Sequence, residues 1–207
     1  MKQDQHGILM HGLGRWLVYS RLRAWLGQRL ELPNLLKGVD FPLYARCLDL
    51  ATGLGWATAG IARISPSARI VSVDYDFDVL PRAREYLKSQ QQPAGSKAAF
   101  CRADGKRLPF RDGSFDLVVC LYGLHHFRGY LDALTEIGRV LKPTGTFALI
   151  DPVRRDEKPP GGHHGMEFLT QAELSQMLDE AGFAVLSSRV AFVAMRAVMR
   201  RRETRHH

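Results

Sequence analysis

Residues Cys47 to Thr58, CLDLATGLGWAT, constrain the fold more than any other stretch of the chain. An apolar segment from Tyr44 to Leu50 carries Asp49 near its end; Gly53 and Gly55 follow, then small residues suited to a helix. This pattern predicts a buried strand, a tight glycine turn and a helix N-terminus. Glycines without a Cβ let the backbone take unusual dihedrals and approach a ligand closely. Free N–H groups at a helix start favour negative or polar ligand groups. Doubly wound α/β proteins hold nucleotide-like cofactors on such a unit. A dinucleotide fingerprint would continue to a third glycine, whereas Thr58 stands in that place. On this segment alone, an ordinary strand–helix turn in a Rossmann-like domain is the competing reading.

The segments that follow extend the pattern. Ala68 to Val73 (ARIVSV) is a β-branched run ending at Asp74, a carboxylate at a strand tip about 20 residues past the glycines, where it can accept the hydroxyls of a ribose. Asp78 is placed to cap the next helix, and Pro81 falls in that helix's first turn. Ala98 to Ala103 reads as a third strand with Asp104 at its tip, and Phe115 to Leu121 as a fourth. Leu131 to Leu141 has helical spacing closed by Pro143 and Gly145, and Thr146 to Ile150 is a fifth strand ending at Asp151-Pro152. Alternating strands and helices call for a mainly parallel sheet.

With LDLATGLG, VSVD, ADGKRLPF, DGSFDLVVCLYGLHHF and EIGRVLKPTGTFALID in that order, the chain resembles the class I S-adenosylmethionine-dependent methyltransferases over roughly residues 44 to 151. Ala51 stands where the usual D-x-G-x-G-x-G segment has its first glycine, and that form is similar to the ubiquinone/menaquinone C-methyltransferase branch. Leu54, Trp56 and the Leu-His-His segment depart from the branch toward the general small-molecule group. The resemblance implies a Rossmann-like doubly wound sheet of seven strands, mainly parallel, with an antiparallel last strand. It implies S-adenosyl-L-methionine as cofactor and S-adenosyl-L-homocysteine as product. Asp49, Ala51, Gly53 and Gly55 would then line the methionine end, Asp74 would bind the ribose, and Tyr75 would flank the adenine. Asp104 would take the adenine amino group, with Gly105 beside it and Leu121 packed nearby.

A chain of 207 residues is enough for one domain with a full core. The expected layout is an N-terminal helical cap over 1–40, a methyltransferase domain over 41–199 and a basic tail over 200–207. Ile8 to Leu30 reads as an amphipathic helix broken near Ser20. A lid carrying substrate-proximal Trp16 and Tyr19, a membrane-surface helix and a subunit contact compete for its role. Residues 152–168, rich in Pro, Gly and charge, form a substrate loop that precedes a helix from Thr170 to Ala181 capped by Thr170 and Glu173. Phe183 to Val190 and Phe192 to Met199 are the last strands. Cys47, Cys101 and Cys120 all fall in strands without a C-x-x-C pair, which favours reduced thiols. No secretory signal and no membrane-length apolar run is visible, so a cytoplasmic location is expected.

His125-His126 and His163-His164 lack the spacing of a zinc site, and no metal is expected. His125 follows the fourth strand and is the candidate base; His126 and Tyr122 stand beside it as substrate-proximal groups. Displacement at a sulfonium methyl needs alignment and water exclusion first, and a base only when the nucleophile must lose a proton. The first hypothesis is therefore a methyltransferase acting on a small or lipid-like acceptor, with Phe127 and Phe168 helping to cover it. The formal charge of +8 keeps an RNA or protein methyltransferase as the alternative, and leaves peripheral contact with an anionic membrane or nucleic acid open. An Asn-Pro-Pro-Tyr-type segment after the fourth strand is missing. Thr58 and the Leu108-Pro-Phe segment argue against a nicotinamide oxidoreductase; a non-catalytic cofactor-binding protein is the remaining alternative.

Overall fold

Seven strands form one sheet in the order β3-β2-β1-β4-β5-β7-β6. They are β1 (Arg46–Leu50), β2 (Arg69–Asp74), β3 (Lys97–Arg102), β4 (Phe115–Leu121), β5 (Leu141–Pro152), β6 (Phe183–Ala191) and β7 (Ala194–Arg201). The first five are mutually parallel; β7 enters antiparallel between β5 and β6. This is a computed structural model, describing residues 20–40, 42–91, 97–155, 168–191 and 193–202. The chain runs outward from β1 to β3, then returns to β4 on the other side of β1. The crevice beyond the C-terminal ends of β1 and β4 is thus the topological switch point, where open α/β sheets bind ligands.

The helices are α1 (Arg21–Leu26), α2 (Leu32–Leu35), α3 (Trp56–Ile64), α4 (Val79–Ser89), α5 (Tyr130–Val140) and α6 (Gln171–Glu180), with a π-helical turn over Gly27–Glu31 joining α1 to α2. Strand alternation divides the core in two. Leu48, Leu50, Phe115, Val118 and Phe147 face α5 and α6, whereas Cys47, Leu117, Val119 and Ile150 face α3 and the N-terminal helical segment. Both faces are covered, which is why β4 is almost continuously apolar and buried.

The N-terminal segment docks on α3 through missing side chains. A Cβ on Gly27 would lie 2.6 Å from the Trp56 ring, and one on Gly60 would lie 2.5 Å from Leu32. Ser20 is where the predicted helix break falls; its side chain accepts the Arg23 N–H and starts α1.

Several boundaries differ from expectation. β5 begins at Leu141, directly after α5, and absorbs Pro143–Gly145 at a register shift opposite Phe115–Leu117. β7 ends at Arg201, so Arg200 and Arg201 belong to the sheet and not to a tail. Asp78 occupies the N-cap position of α4 without a side-chain cap bond. The turn is held instead by Asp74 and Asp76, whose carboxylates accept the Asp76 and Asp78 N–H groups. The Thr170–Glu173 capping box forms as predicted. Arg154 pairs with Glu173, and its N–H donates to Leu169 O at 2.9 Å, so the two ends of the 152–168 segment meet. The three cysteines are free, and burial pushes the Cys47 thiol up to about 12.

Candidate active site

The loop after β1 is built on left-handed backbone: Ala51 at φ 58°, Gly53 at 51° and Gly55 at 79°, the last starting α3. Asp49 braces it from below. Its Oδ2 accepts Thr52 Oγ1 at 2.7 Å, Thr58 Oγ1 at 2.6 Å and Thr58 N at 3.1 Å. Only 1% of Asp49 is exposed, so it holds the predicted methionine-binding loop from inside the fold. Burial raises its carboxyl to about 6, against the lowering effect of those hydrogen bonds. Thr58 also lies 2.5 Å from Ser72 Oγ. A third glycine at that position would lose the Thr58 hydroxyl contacts to Asp49 and Ser72.

Asp74, at the tip of β2, accepts the Gly53 N–H at 2.9 Å and stays half-buried. Burial raises its carboxyl, opposed by the Gly53 and Asp76 N–H groups. Tyr75 follows, with the Arg102 guanidinium 5.1 Å from its ring centroid. Asp104 Oδ1 accepts the Lys106 N–H at 2.9 Å, and the rest of this loop is tied to α5 through Arg139, which bonds Leu108 O, Phe110 O and Asp112. A Cβ on Gly105 would lie 2.4 Å from the Phe127 ring. Phe127 accordingly packs as a core side chain.

After β4, Leu121 is buried and Tyr122 takes a strained φ of 58°. His125 lies on a 3₁₀ turn (Leu124–His126), its Nδ1 3.1 Å from Asp151 Oδ1 at the end of β5. The same oxygen accepts the Leu124 N–H. Burial raises the Asp151 carboxyl, opposed by His125. The His126 and Phe168 rings flank His125 at centroid distances of 4.2 Å and 5.3 Å. With Nδ1–H donated to Asp151, Nε2 keeps its lone pair.

The Asp151 partnership is absent from the sequence reading. Its signal was the placement of Asp151 at the tip of the strand next to the one His125 follows. Arg23, Glu31 and Arg196, which gather around Tyr122, were also missed. Trp16, Tyr19, His163 and His164 lie outside the described residues. Among the described residues, no group of three or more His, Cys, Asp or Glu side chains could hold a metal, and no helix is long and apolar enough to cross a membrane.

Comparisons with known proteins bear on the family and the fold. A methyltransferase-domain family model matches residues 48–149. A demethylmenaquinone methyltransferase of Thermus thermophilus is 34% identical over 153 residues, covering 72% of this chain and 66% of that protein. The mitochondrial 2-methoxy-6-polyprenyl-1,4-benzoquinol methylase of Caenorhabditis elegans is 28% identical over 150 residues, covering 72% of this chain and 53% of that one. The chain thus spans between about half and two thirds of the length of these relatives. In fold it matches a SAM-dependent methyltransferase from Aquifex aeolicus with a TM-score of 0.71, at 18% identity over 92% of this chain and 98% of the other. The chain belongs to the class I S-adenosylmethionine-dependent methyltransferases.

S-adenosylmethionine is the cofactor that this family and fold imply. The donor set fits it. Half-buried carboxylates at the tips of β2 and β3 suit a diol and an exocyclic amine, an aromatic ring follows the first, and left-handed backbone keeps side chains clear of the loop between them and β4.

Proposed function

We propose that the chain transfers the methyl group of S-adenosylmethionine to a small, lipid-like acceptor of the hydroxylated-ring, quinol type, with His125 as the base. The observation that carries this reading is the 3.1 Å contact between His125 and Asp151 at the switch-point edge of the sheet. The relatives named for quinone-type substrates support the acceptor class.

The cofactor supplies a sulfonium methyl already activated for displacement. In this reading Asp74, Tyr75 and Asp104 hold the nucleoside, while Gly53 and Gly55 bring the backbone close to the amino-acid end. Asp151 fixes the His125 ring so that Nε2 faces the acceptor. His125 takes the proton of an acceptor hydroxyl, which raises electron density on the ring. Bound there, S-adenosylmethionine would supply its methyl to the activated ring, its sulfur leaving as the thioether of the product, and a carbon acceptor would afterwards shed its ring proton. Tyr122, His126 and Phe168 border this space, and exclusion of water with in-line alignment provides the remaining acceleration.

Leu22, Trp25 and Leu30 on the N-terminal segment are exposed beside exposed Arg29, a combination suited to an anionic lipid surface where such an acceptor dissolves. Pelleting with anionic vesicles, and not with zwitterionic ones, is expected; equal recovery with both would remove the membrane contact.

The functional test is methyl transfer from labelled S-adenosylmethionine to a short-tailed demethylated quinol, compared with RNA. Label in the quinol is expected. Label in RNA that declines steeply with salt, with none in any small acceptor, would overturn the reading.

A further inference from the structure

α1 places a charged cluster against the start of α3. The Arg23 guanidinium lies 5.3 Å from the Trp56 ring centroid and 4.7 Å from that of Tyr122, and its Nη2 donates to Glu31 Oε2 at 3.0 Å. Its Nη1 is buried with no acceptor among the described residues. Arg196 on β7 repeats the situation, with Nε buried and without an acceptor among the described residues. The register sets Leu121, Ile150 and Arg196 in one row across β4, β5 and β7. Ala194 and Val198, two residues to either side, pack in the same core layer as Trp56 and Leu121, so alternation turns Arg196 to that face. Burial and the Glu31 carboxylate push the Tyr122 phenol up, while Arg23 and Arg196 oppose them; all three charges therefore act on one ring.

Two guanidiniums and one carboxylate thus act on the Tyr122 ring, and among the described residues Arg23 is the guanidinium bonded to that carboxylate. Arginine does not shed its proton in a protein, so the excess positive charge persists. A buried charged donor left without an acceptor is costly and uncommon in native proteins. An incoming carboxylate would satisfy both free N–H groups and cancel the excess charge.

The location selects the carboxylate. Trp56 directly follows Gly55, and Tyr122 directly precedes Gly123, where a Cβ would lie 2.4 Å from the Ala51 Cβ. The cluster therefore borders the β1 loop on both sides. We infer that Arg23 and Arg196 form a carboxylate subsite that takes the α-carboxylate at the amino-acid end of S-adenosylmethionine. This rests on the assignment of the β1 loop to the cofactor.

Calorimetry tests it with two ligands, S-adenosylhomocysteine and its decarboxylated analogue, which keeps the thioether and the amine. The wild-type protein is expected to prefer S-adenosylhomocysteine by about 10- to 100-fold, the span of hydrogen bonds to a charged group. Arg23→Met and Arg196→Met should each shrink that preference while leaving the affinity for the analogue nearly unchanged. Equal wild-type affinities for the two ligands would overturn the subsite without any variant needing to fold, as would variants that keep the wild-type preference. Failure of the wild-type protein to bind either ligand would instead overturn the loop assignment beneath it.

Discussion

The Asp74 carboxylate accepts the Gly53 N–H across 2.9 Å, tying the tip of β2 to the glycine loop that follows β1. One side chain thereby ties the loop's shape to the carboxylate that the proposed function assigns to the ribose. Asp74→Ala should weaken S-adenosylhomocysteine binding by about 1.5–3 kcal/mol and also lower the melting temperature of the ligand-free protein. Calorimetry and a thermal melt read the two effects separately. A variant with unchanged affinity would remove Asp74 from the cofactor site.

Asp49 predicts a pH effect. Its buried carboxyl is raised to about 6, so the folded protein holds that proton more tightly than the unfolded chain. The resulting stabilisation is complete below about pH 4 and is lost as pH rises through about 6. Asp49→Asn does not titrate. Its stability relative to wild type should therefore rise by on the order of 3 kcal/mol between about pH 4 and pH 7, read from urea unfolding at both values. A difference independent of pH would show that Asp49 does not titrate in this range.

The fit of Gly27 under Trp56 predicts a packing effect. Gly27→Ala adds helix propensity worth about 1 kcal/mol, yet it forces a Cβ into the indole. Overpacking of about 1–3 kcal/mol should win, freeing residues 20–36 from α3. Hydrogen exchange should quicken in that segment and stay unchanged in β1 and β4. Unaltered protection would mean that Trp56 has room to move.

At the other end of the crevice, His125→Ala should lower kcat by about 100-fold or more, in line with loss of a general base. Asp151→Asn should lower it less, since the imidazole remains but loses its anchor. Neither change should alter S-adenosylhomocysteine affinity. A His125→Ala enzyme with wild-type kcat would identify the dyad as structural.

The succession of strands along the chain and the glycine loop were legible because each rests on a local pattern: apolar runs, punctuating glycines and carboxylates at strand ends. β4 was read to the residue. The start of β5 was not, because Pro143 and Gly145 look like a helix stop, and only pairing with Phe115 draws Leu141 into the sheet. The burial of Asp49 was equally hidden, since it depends on two threonines folding back over the strand. His125 and Asp151 stand 26 residues apart and meet only because β4 and β5 are neighbours. Arg23 meets Tyr122 and Trp56 only once the N-terminal segment is folded against α3, which no local pattern announces.

The π-helical turn at Gly27–Glu31 carries one further consequence. It accommodates one residue more than a regular helical turn would. Because the wide turn absorbs its extra residue locally, winding all five residues as regular α-helix would instead turn α1 about its axis by close to the ~100° that one residue spans. Arg23 would then leave Tyr122 although no contacting residue had changed. For this stretch the backbone winding itself carries information, and a substitution that restored ordinary α-helical bonding there would displace Arg23 without touching it.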